Sequence, residues 1–309
     1  MLNLLFAGRA ERWPEFEPHL NAACEEAGLD VHITTELSPD DVDYIIYAPT
    51  GPVQDFTPFT RAKAVLSLWA GVEKVVDNDT LRIPLTRMVD TGLERGMTEW
   101  VTGHVLRYHL GMDRHIQNPN HTWHPEVPPL AEDRPVSILG LGTLGQACAA
   151  ALVGLGFNVT GWSRTQKSVP GVTCLSGDDG LKQALRTGEI SILLLPNTVA
   201  TQNIINAQTL KMMPQGAFLI NPGRGPLIDD DALLDALDNG HIAHATLDVF
   251  RVEPLPQEHR FWAHPQVTVT PHIAADTRPD TSAQIIAENI RRNETGEPML
   301  YLVDRSAGY

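Results

Sequence analysis

Short apolar runs recur along the chain at spacings that leave room for a helix between successive runs. In the first third they cover residues 2–6, 31–33, 44–48 and 64–68, each bounded by Gly, Pro, Asp or Thr. Strands alternating with polar, helix-compatible segments predict a parallel sheet covered on both faces. Residues 97–112 then read as one long helix, with Val101, Val105 and Leu106 on a shared face. Residues 117–135 are rich in Asn, His and Pro and mark a connection. A second alternating series begins at Val136, with strands expected over 136–139, 158–162, 190–195, 217–220, 243–247 and 267–270. Among the helices between them, 146–155 is alanine-rich, and 232–237 ends at Asn239-Gly240, where glycine suits the left-handed position after a helix. A final helix over 281–293 is long enough to return to the first series. The expected fold class is α/β, with two doubly wound parallel sheets.

Composition narrows the setting without changing that picture. The 309 residues suffice for two domains of ordinary size, and 42% of them are hydrophobic, a globular proportion. No apolar stretch approaches the roughly 20 residues that span a bilayer. Residues 1–7 are apolar but short and lack a basic flank, so they read as a buried first strand and not as a signal peptide. Cys24, Cys148 and Cys174 are few, odd in number and widely spaced, which suggests neither a disulfide framework nor a zinc site. A reducing cytoplasm is the expected compartment, and no metal is expected. The net charge of −15 argues against attraction to nucleic acid or anionic membranes. An acidic protein that handles anionic ligands must concentrate its cations locally, so the placement of its arginines matters.

The second series opens with the most informative motif. The strand 136–139 runs into Gly140-Leu141-Gly142-Thr143-Leu144-Gly145 and then a helix-compatible segment. A bare G-x-G-x-x-G is weak, and a structural glycine turn is its other reading. With strand and helix flanking it, dinucleotide binding is the better one. Gly140 permits the tight turn, Gly142 lets a pyrophosphate approach the backbone, and Gly145 lets helix and strand pack closely. The helix N-terminus then offers free N–H groups and its positive dipole end to phosphate.

The second strand of such a fold usually ends near an acid, about 20 residues on, that holds the adenosine ribose. Here the chain reads Trp162-Ser163-Arg164-Thr165, with Lys167 just beyond and no acid among them. A hydroxyl and a guanidinium can bind a 2′-phosphate, which a carboxylate would repel. NADP(H) is therefore expected over NAD(H).

Three later segments carry chemistry, each just past an expected strand. Arg224 follows Asn221-Pro222-Gly223 and can grip a carboxylate bidentately. Asp248 closes the strand over 243–247, and Glu253 sits in the turn that follows. His272 stands after the strand over 267–270, with an ordinary pKa near the working range for proton transfer. Each is weak alone. In order, at the strand ends of one sheet where open parallel sheets bind ligands, they are hard to dismiss.

With those residues in place, the chain resembles the D-2-hydroxyacid dehydrogenases over essentially its whole length. The resemblance rests on Gly140 to Gly145, Asn221 to Gly225, Leu247-Asp248-Val249-Phe250 with Glu253-Pro254, and Pro271-His272. Within the family it is most similar to the glyoxylate/hydroxypyruvate reductase A branch. That rests on Trp162 to Thr165, Leu194-Leu195-Pro196-Asn197-Thr198, Ala274-Ala275, Thr277-Arg278-Pro279 and the terminal Gly308-Tyr309.

The resemblance implies a flavodoxin-like substrate domain (1–96 and 281–309), a Rossmann dinucleotide domain (97–280) and an active-site cleft between them. It implies that Arg224 binds the substrate carboxylate and keto oxygen, His272 donates the proton and Glu253 orients it. Ala70, Gly71 and Val72 would offer backbone amides to the same carboxylate, although composition alone reads them as a plain turn. Cofactor contacts would come from Gly140, Gly142, Thr143, Leu144 and Gly145, and from Trp162, Ser163, Arg164, Thr165 and Lys167. Leu195, Pro196, Asn197, Pro222, Gly223, Asp248 and Ala274 would complete them. Substrates would be short 2-keto acids such as glyoxylate and hydroxypyruvate, and the assembly a homodimer. The chain departs from the family pattern where the ribose-binding acid is missing and where Ala274-Ala275 replaces a common Gly-Gly. The rival readings are a noncatalytic NADP-sensing protein on this fold, or a cousin acting on another 2-keto acid. A formate dehydrogenase needs no proton donor, and the Glu253 and His272 pair argues against it.

Overall fold

The computed structural model describes residues 1–118, 120–123 and 125–305, so the Gly308-Tyr309 terminus lies outside the described residues. The chain divides into two compact units, Met1–Leu93 with Asp276–Tyr309, and Glu94–Ala275.

The first unit is built on a five-stranded parallel sheet ordered β2-β1-β3-β4-β5. Its strands are β1 (Leu2–Ala7), β2 (Val31–Thr34), β3 (Tyr44–Tyr47), β4 (Ala64–Ser67) and the two-residue β5 (Leu85–Thr86). Side chains two apart share a face, which splits this core cleanly. Leu5, Ala7, Ile45, Tyr47 and Val65 enter a cluster with Val72, Val75, Val76 and Leu81. On the other face Phe6 packs its ring on Trp13 and Phe16 of α1 (Trp13–Glu26). Helix α9 (Pro279–Thr295) packs along α1 and completes that layer. Its Glu294 accepts from the buried Tyr44 hydroxyl at 2.5 Å, and its Asn293 donates to that oxygen at 2.7 Å. A ring the size of Tyr44, removed from water, contributes about 1.5–3 kcal/mol only because its hydroxyl is satisfied. Arg305 then donates to the carbonyls of Val76, Leu81 and Asn78, fastening the last described segment to the same unit.

The second unit carries a seven-stranded parallel sheet ordered β12-β11-β10-β9-β6-β7-β8. Its strands are β6 (Val136–Leu139), β7 (Val159–Ser163), β8 (Val172–Ser176), β9 (Ile190–Leu193), β10 (Ala217–Asn221), β11 (Ile242–Leu247) and β12 (Val267–Val269). Alternation again assigns the faces. Ile138, Ile192 and Ile220 pack with Val101, Val105 and Tyr108 of α2 (Thr91–His109) and with Cys148, Ala149 and Leu152 of α4 (Thr143–Gly154). Leu139, Leu193 and Leu219 meet Ala184 and Leu185 of α5 (Gly177–Thr187), Leu210 of α6 (Ala207–Leu210) and Leu233 and Leu237 of α7 (Asp230–Asp238). The short helices α3 (Met112–Ile116) and α8 (Arg260–Ala263) complete the set. Strand order reverses between β6 and β9, the switch point where such sheets bind ligands at their carboxyl ends.

Differences from the expected elements have local causes. Helix α2 begins at Thr91 because Asp90 Oδ1 accepts the Leu93 N–H at 2.6 Å, an N-cap upstream of the apolar pattern. Gly92 is tolerated there because a Cβ would stand 2.4 Å from Thr281 Oγ1. Strands β5 and β8 are unexpected; β5 is two residues long, and β8 is a half-exposed edge strand with little apolar signal. Gly240 does take the left-handed conformation (φ +73) after α7.

Candidate active site

The glycine turn between β6 and α4 has a different reason at each glycine. Gly140 has φ +114, and a Cβ there would lie 2.3 Å from the Leu194 carbonyl oxygen. Gly145 would place a Cβ 1.8 Å from the Gly140 oxygen, so helix and turn meet without side chains. Gly142 is the N-cap of α4 in extended backbone, and a Cβ there meets nothing within 4 Å. A side chain would therefore fill space and not clash with protein, as a cradle for pyrophosphate requires. Thr143 and Leu144 open α4, where amide N–H groups and the dipole favour an anion.

At the end of β7, Trp162 Nε1 donates to the Gly177 carbonyl at 2.8 Å and Ser163 Oγ to the Thr165 carbonyl at 2.8 Å. Arg164, Thr165 and Lys167 are exposed on this turn. Gln166, which sequence reasoning missed, fixes it to β8. Its amide donates to the Lys167 and Cys174 carbonyls, and its oxygen accepts from Ser176 Oγ at 2.9 Å. Two cations and a hydroxyl on a pinned turn without an acid fit a 2′-phosphate. Past β9, Leu195 is buried and Asn197 Oδ1 is buried with no hydrogen-bond partner among the described residues. The Thr201 hydroxyl donates to the Pro196 carbonyl at 2.6 Å and closes that loop.

Arg224 is aimed by a residue beneath it. Asn221, fully buried at the end of β10, donates to the Arg224 carbonyl at 2.9 Å and accepts the Gly223 N–H at 3.1 Å. This ties the Pro222-Gly223 turn into one shape. Arg224 Nη1 donates to the Gly223 carbonyl at 2.6 Å. A buried Asn before Pro-Gly is the signal that would have marked Asn221.

His272 has φ +56, a left-handed backbone that costs a side-chain-bearing residue about 1–2 kcal/mol. Asp248 holds it there. The His272 N–H donates to the Asp248 carbonyl at 2.8 Å, and the fully buried Asp248 carboxylate accepts from Thr270 Oγ1 (2.6 Å), Ile273 N (2.9 Å) and Ala274 N (2.9 Å). Asp248, expected as a cofactor contact, thus spends its carboxylate on the histidine loop. Ala274 is buried beneath that loop.

The expected Glu253 and His272 pair lies at 2.8 Å, Nδ1 to Oε2. The other carboxylate oxygen accepts the Phe250 N–H at 2.9 Å. A carboxylate partner makes Nδ1 the donor and leaves Nε2 for chemistry. The His272 pKa is raised, chiefly by its hydrogen bond to Glu253, against burial and the Arg224 charge. Burial works against ionised Glu253, but the hydrogen bonds from His272 and Phe250 outweigh it and hold its pKa below the ordinary value. Arg224 also favours that anion, so all three charges act on one another.

Ala70, Gly71 and Val72 belong to the first unit, just past β4. Ser67 Oγ accepts the Trp69 N–H at 3.0 Å, and the Val72 carbonyl accepts Val75 and Val76 N–H. Among the described residues, the amides of 70–72 have no backbone acceptor.

Residues 104–274 match the D-isomer specific 2-hydroxyacid dehydrogenase, NAD binding domain. A glyoxylate/hydroxypyruvate reductase A from Serratia proteamaculans is 41% identical over 257 residues, 81% of this chain and 82% of that protein. The protein of that name from Yersinia enterocolitica is 39% identical, over 86% of this chain and 88% of its own length. Among solved structures, a D-isomer specific 2-hydroxyacid dehydrogenase from Xanthobacter autotrophicus in complex with NADPH and MES aligns with TM-score 0.93 at 40% identity, covering 99% of each chain. An NADPH-dependent glyoxylate/hydroxypyruvate reductase from Sinorhizobium meliloti, in complex with NADP and sulfate, aligns with TM-score 0.84 at 32% identity over 100% of both chains.

Proposed function

The chain belongs to the D-isomer specific 2-hydroxyacid dehydrogenase family, and we propose that it reduces short 2-keto acids, glyoxylate and hydroxypyruvate, with NADPH. The observation that carries this reading is the Glu253–His272 hydrogen bond at 2.8 Å beside Arg224. A keto acid offers a carboxylate for a guanidinium and a carbonyl oxygen for a proton donor, and this set supplies both. NADPH, when bound, supplies the hydride that the carbonyl carbon accepts. Arg224 neutralises the carboxylate and polarises the carbonyl. Glu253 holds Nδ1–H, so the imidazolium delivers its Nε2 proton to the oxygen that becomes the hydroxyl and ends neutral. Amides of Ala70, Gly71 and Val72 are proposed as further donors to the carboxylate.

The test is loss of 340 nm absorbance with a panel of 2-keto acids, run with NADPH and with NADH. Glyoxylate and hydroxypyruvate with NADPH should be the best combinations. Arg164→Ala should weaken NADPH alone, by about one to two orders of magnitude for one charge-assisted contact. Equal use of both cofactors by the unmutated protein overturns the preference.

A homodimer in a reducing cytoplasm completes the proposal. The buried thiols of Cys24 and Cys148 are pushed up to about 11 and about 12 by burial, so they stay protonated. Ile116, Trp123, Val127 and Leu130 expose apolar side chains, Trp123 to 90%. Large apolar side chains left exposed along one stretch of chain suit a partner surface. Trp123→Glu should shift the mass measured by light scattering from dimer to monomer; an unchanged mass rejects this surface.

A further inference from the structure

We propose that Arg251 is a positioning residue that locks together the three loops around the reacting centre and so keeps Glu253 on His272. This rests on the reductase reading only for its kinetic arm. The Arg251 Nη2 donates to the Asn203 side-chain oxygen and to the Ile228 carbonyl, and its Nε lies 3.5 Å from Asp230 Oδ1. Each partner belongs to a different part of the site. Asn203 lies in the loop between β9 and α6, and its own N–H donates to the Pro226 carbonyl at 2.9 Å. Ile228 closes the short turn that begins at Arg224, and Ile205 bridges to it. Asp230 opens α7.

Two residues beyond Arg251 stands Glu253. The intervening Val252 is exposed and anchors nothing, whereas Phe250 is buried. Phe250 and Arg251 are therefore the nearest upstream anchors of Glu253. Close contact reinforces the lock, because a Cβ at Gly225 would fall 2.0 Å from the Phe250 carbonyl carbon and 2.4 Å from Arg251 N. The Arg224 turn and the Glu253 loop thus touch backbone to backbone. Two of the three acceptors of Arg251 are uncharged oxygens, so a planar fork suits them better than a point charge.

The groups that face His272 are Glu253, Arg224 and Asp248. Those that face Arg251 are Asp230 and, behind it, His259 at 3.8 Å from Asp230 Oδ2. Removing a cation would by itself raise the pKa of a nearby histidine. Loosening its carboxylate partner lowers it. The sign of the change therefore separates positioning from a through-space charge effect.

The experiment is an NMR titration of the His272 ring in the free protein and in Arg251→Ala, Arg251→Lys and Asn203→Gly. His272→Gln assigns the resonance, and glycine suits the left-handed Asn203 backbone (φ +51). We expect the midpoint to fall by about half a pH unit in Arg251→Ala as Glu253 loosens. It should fall less in Arg251→Lys and in Asn203→Gly. In the kinetic arm, the alkaline fall of kcat/KM should move to lower pH in the same order, with NADPH affinity unchanged. An unmoved or raised midpoint in Arg251→Ala overturns the proposal, and should that variant not fold, the same result in Asn203→Gly does so. The titration needs no substrate, so an inactive wild-type protein would count against the reductase reading and not against this one.

Discussion

At the β6–β7 end of the seven-stranded sheet the candidate ligand surface is made by leaving side chains out; at the β10–β12 end it is made by burying them. Gly142 leaves backbone exposed at the surface, and the buried Gly140 and Gly145 behind it could not carry a Cβ without striking a carbonyl. Asn221 and Asp248 are polar, fully buried, and hold the loops that present Arg224 and His272. The first design costs chain entropy and yields a rigid cradle for an anion. The second costs desolvation, offset only because each buried oxygen and amide is paired. The two ends should therefore fail differently. Damage at the first should appear in cofactor affinity, and damage at the second in substrate turnover and its pH dependence.

The largest expected effect is at the second end. His272→Gln should lower keto-acid reduction by about 10²–10⁴-fold, the range for a lost general acid. NADPH affinity, measured by fluorescence titration, should stay within twofold or so of the unmutated value. If affinity collapses with activity, the separation between the ends is wrong. Next is Arg224→Lys, which keeps the charge and loses the fork. Its kcat/KM should fall about 100-fold, equivalent to about 3 kcal/mol, again with NADPH binding retained.

A pair of glycine changes sharpens the contrast within the first end. Gly142→Ala should fold normally, because its backbone is extended and its Cβ meets no protein atom, yet bind NADPH at least tenfold or so more weakly. Gly145→Ala forces a Cβ onto the Gly140 oxygen, so it should lose about 1–3 kcal/mol of stability to overpacking and melt at a lower temperature. Equal thermal stability of the two would reject the division of labour among these glycines.

The smallest effect is a shift. The raised His272 pKa keeps the imidazolium present to higher pH, and reduction declines as pH rises through that value. Glu253→Gln removes the anion, so the pKa should fall and the alkaline decline should begin at lower pH. Oxidation of the hydroxy acid needs neutral imidazole and should gain relative activity at moderately low pH. A profile unshifted in both directions means Glu253 does not tune His272.

The contrast also explains what the sequence could reveal. Most strands of both sheets, β5 and β8 excepted, are legible because apolar β-branched runs have a period and a length, and glycine turns because one residue type recurs at fixed spacing. The types Arg, Glu and His at strand ends are legible as chemistry. Their scaffolding is not. Asp248 finds its partners at Thr270, Ile273 and Ala274, one crossover away in the chain, and no local pattern announces that. Gln166 and Arg251 look like solvated loop residues until distant carbonyls are brought to them. The same holds at α2, where a single capping aspartate at position 90 starts the helix before any apolar periodicity does.

Helix α9 has a consequence for how the polypeptide matures. The layer over α1 and the Tyr44 hydroxyl are completed by residues 279–295, yet Glu94–Ala275 form a unit of their own. A ribosome must therefore synthesise that entire unit before the first sheet receives its last helix. At roughly 5–20 residues per second, the wait is on the order of ten to forty seconds. During it the N-terminal strands would keep an apolar face in water, a window in which a chaperone could bind. Nascent chains stalled with residues up to 275 outside the exit tunnel should be cut by protease within 1–93 while Glu94–Ala275 resists. Equal protection of both would show that the first sheet closes without α9.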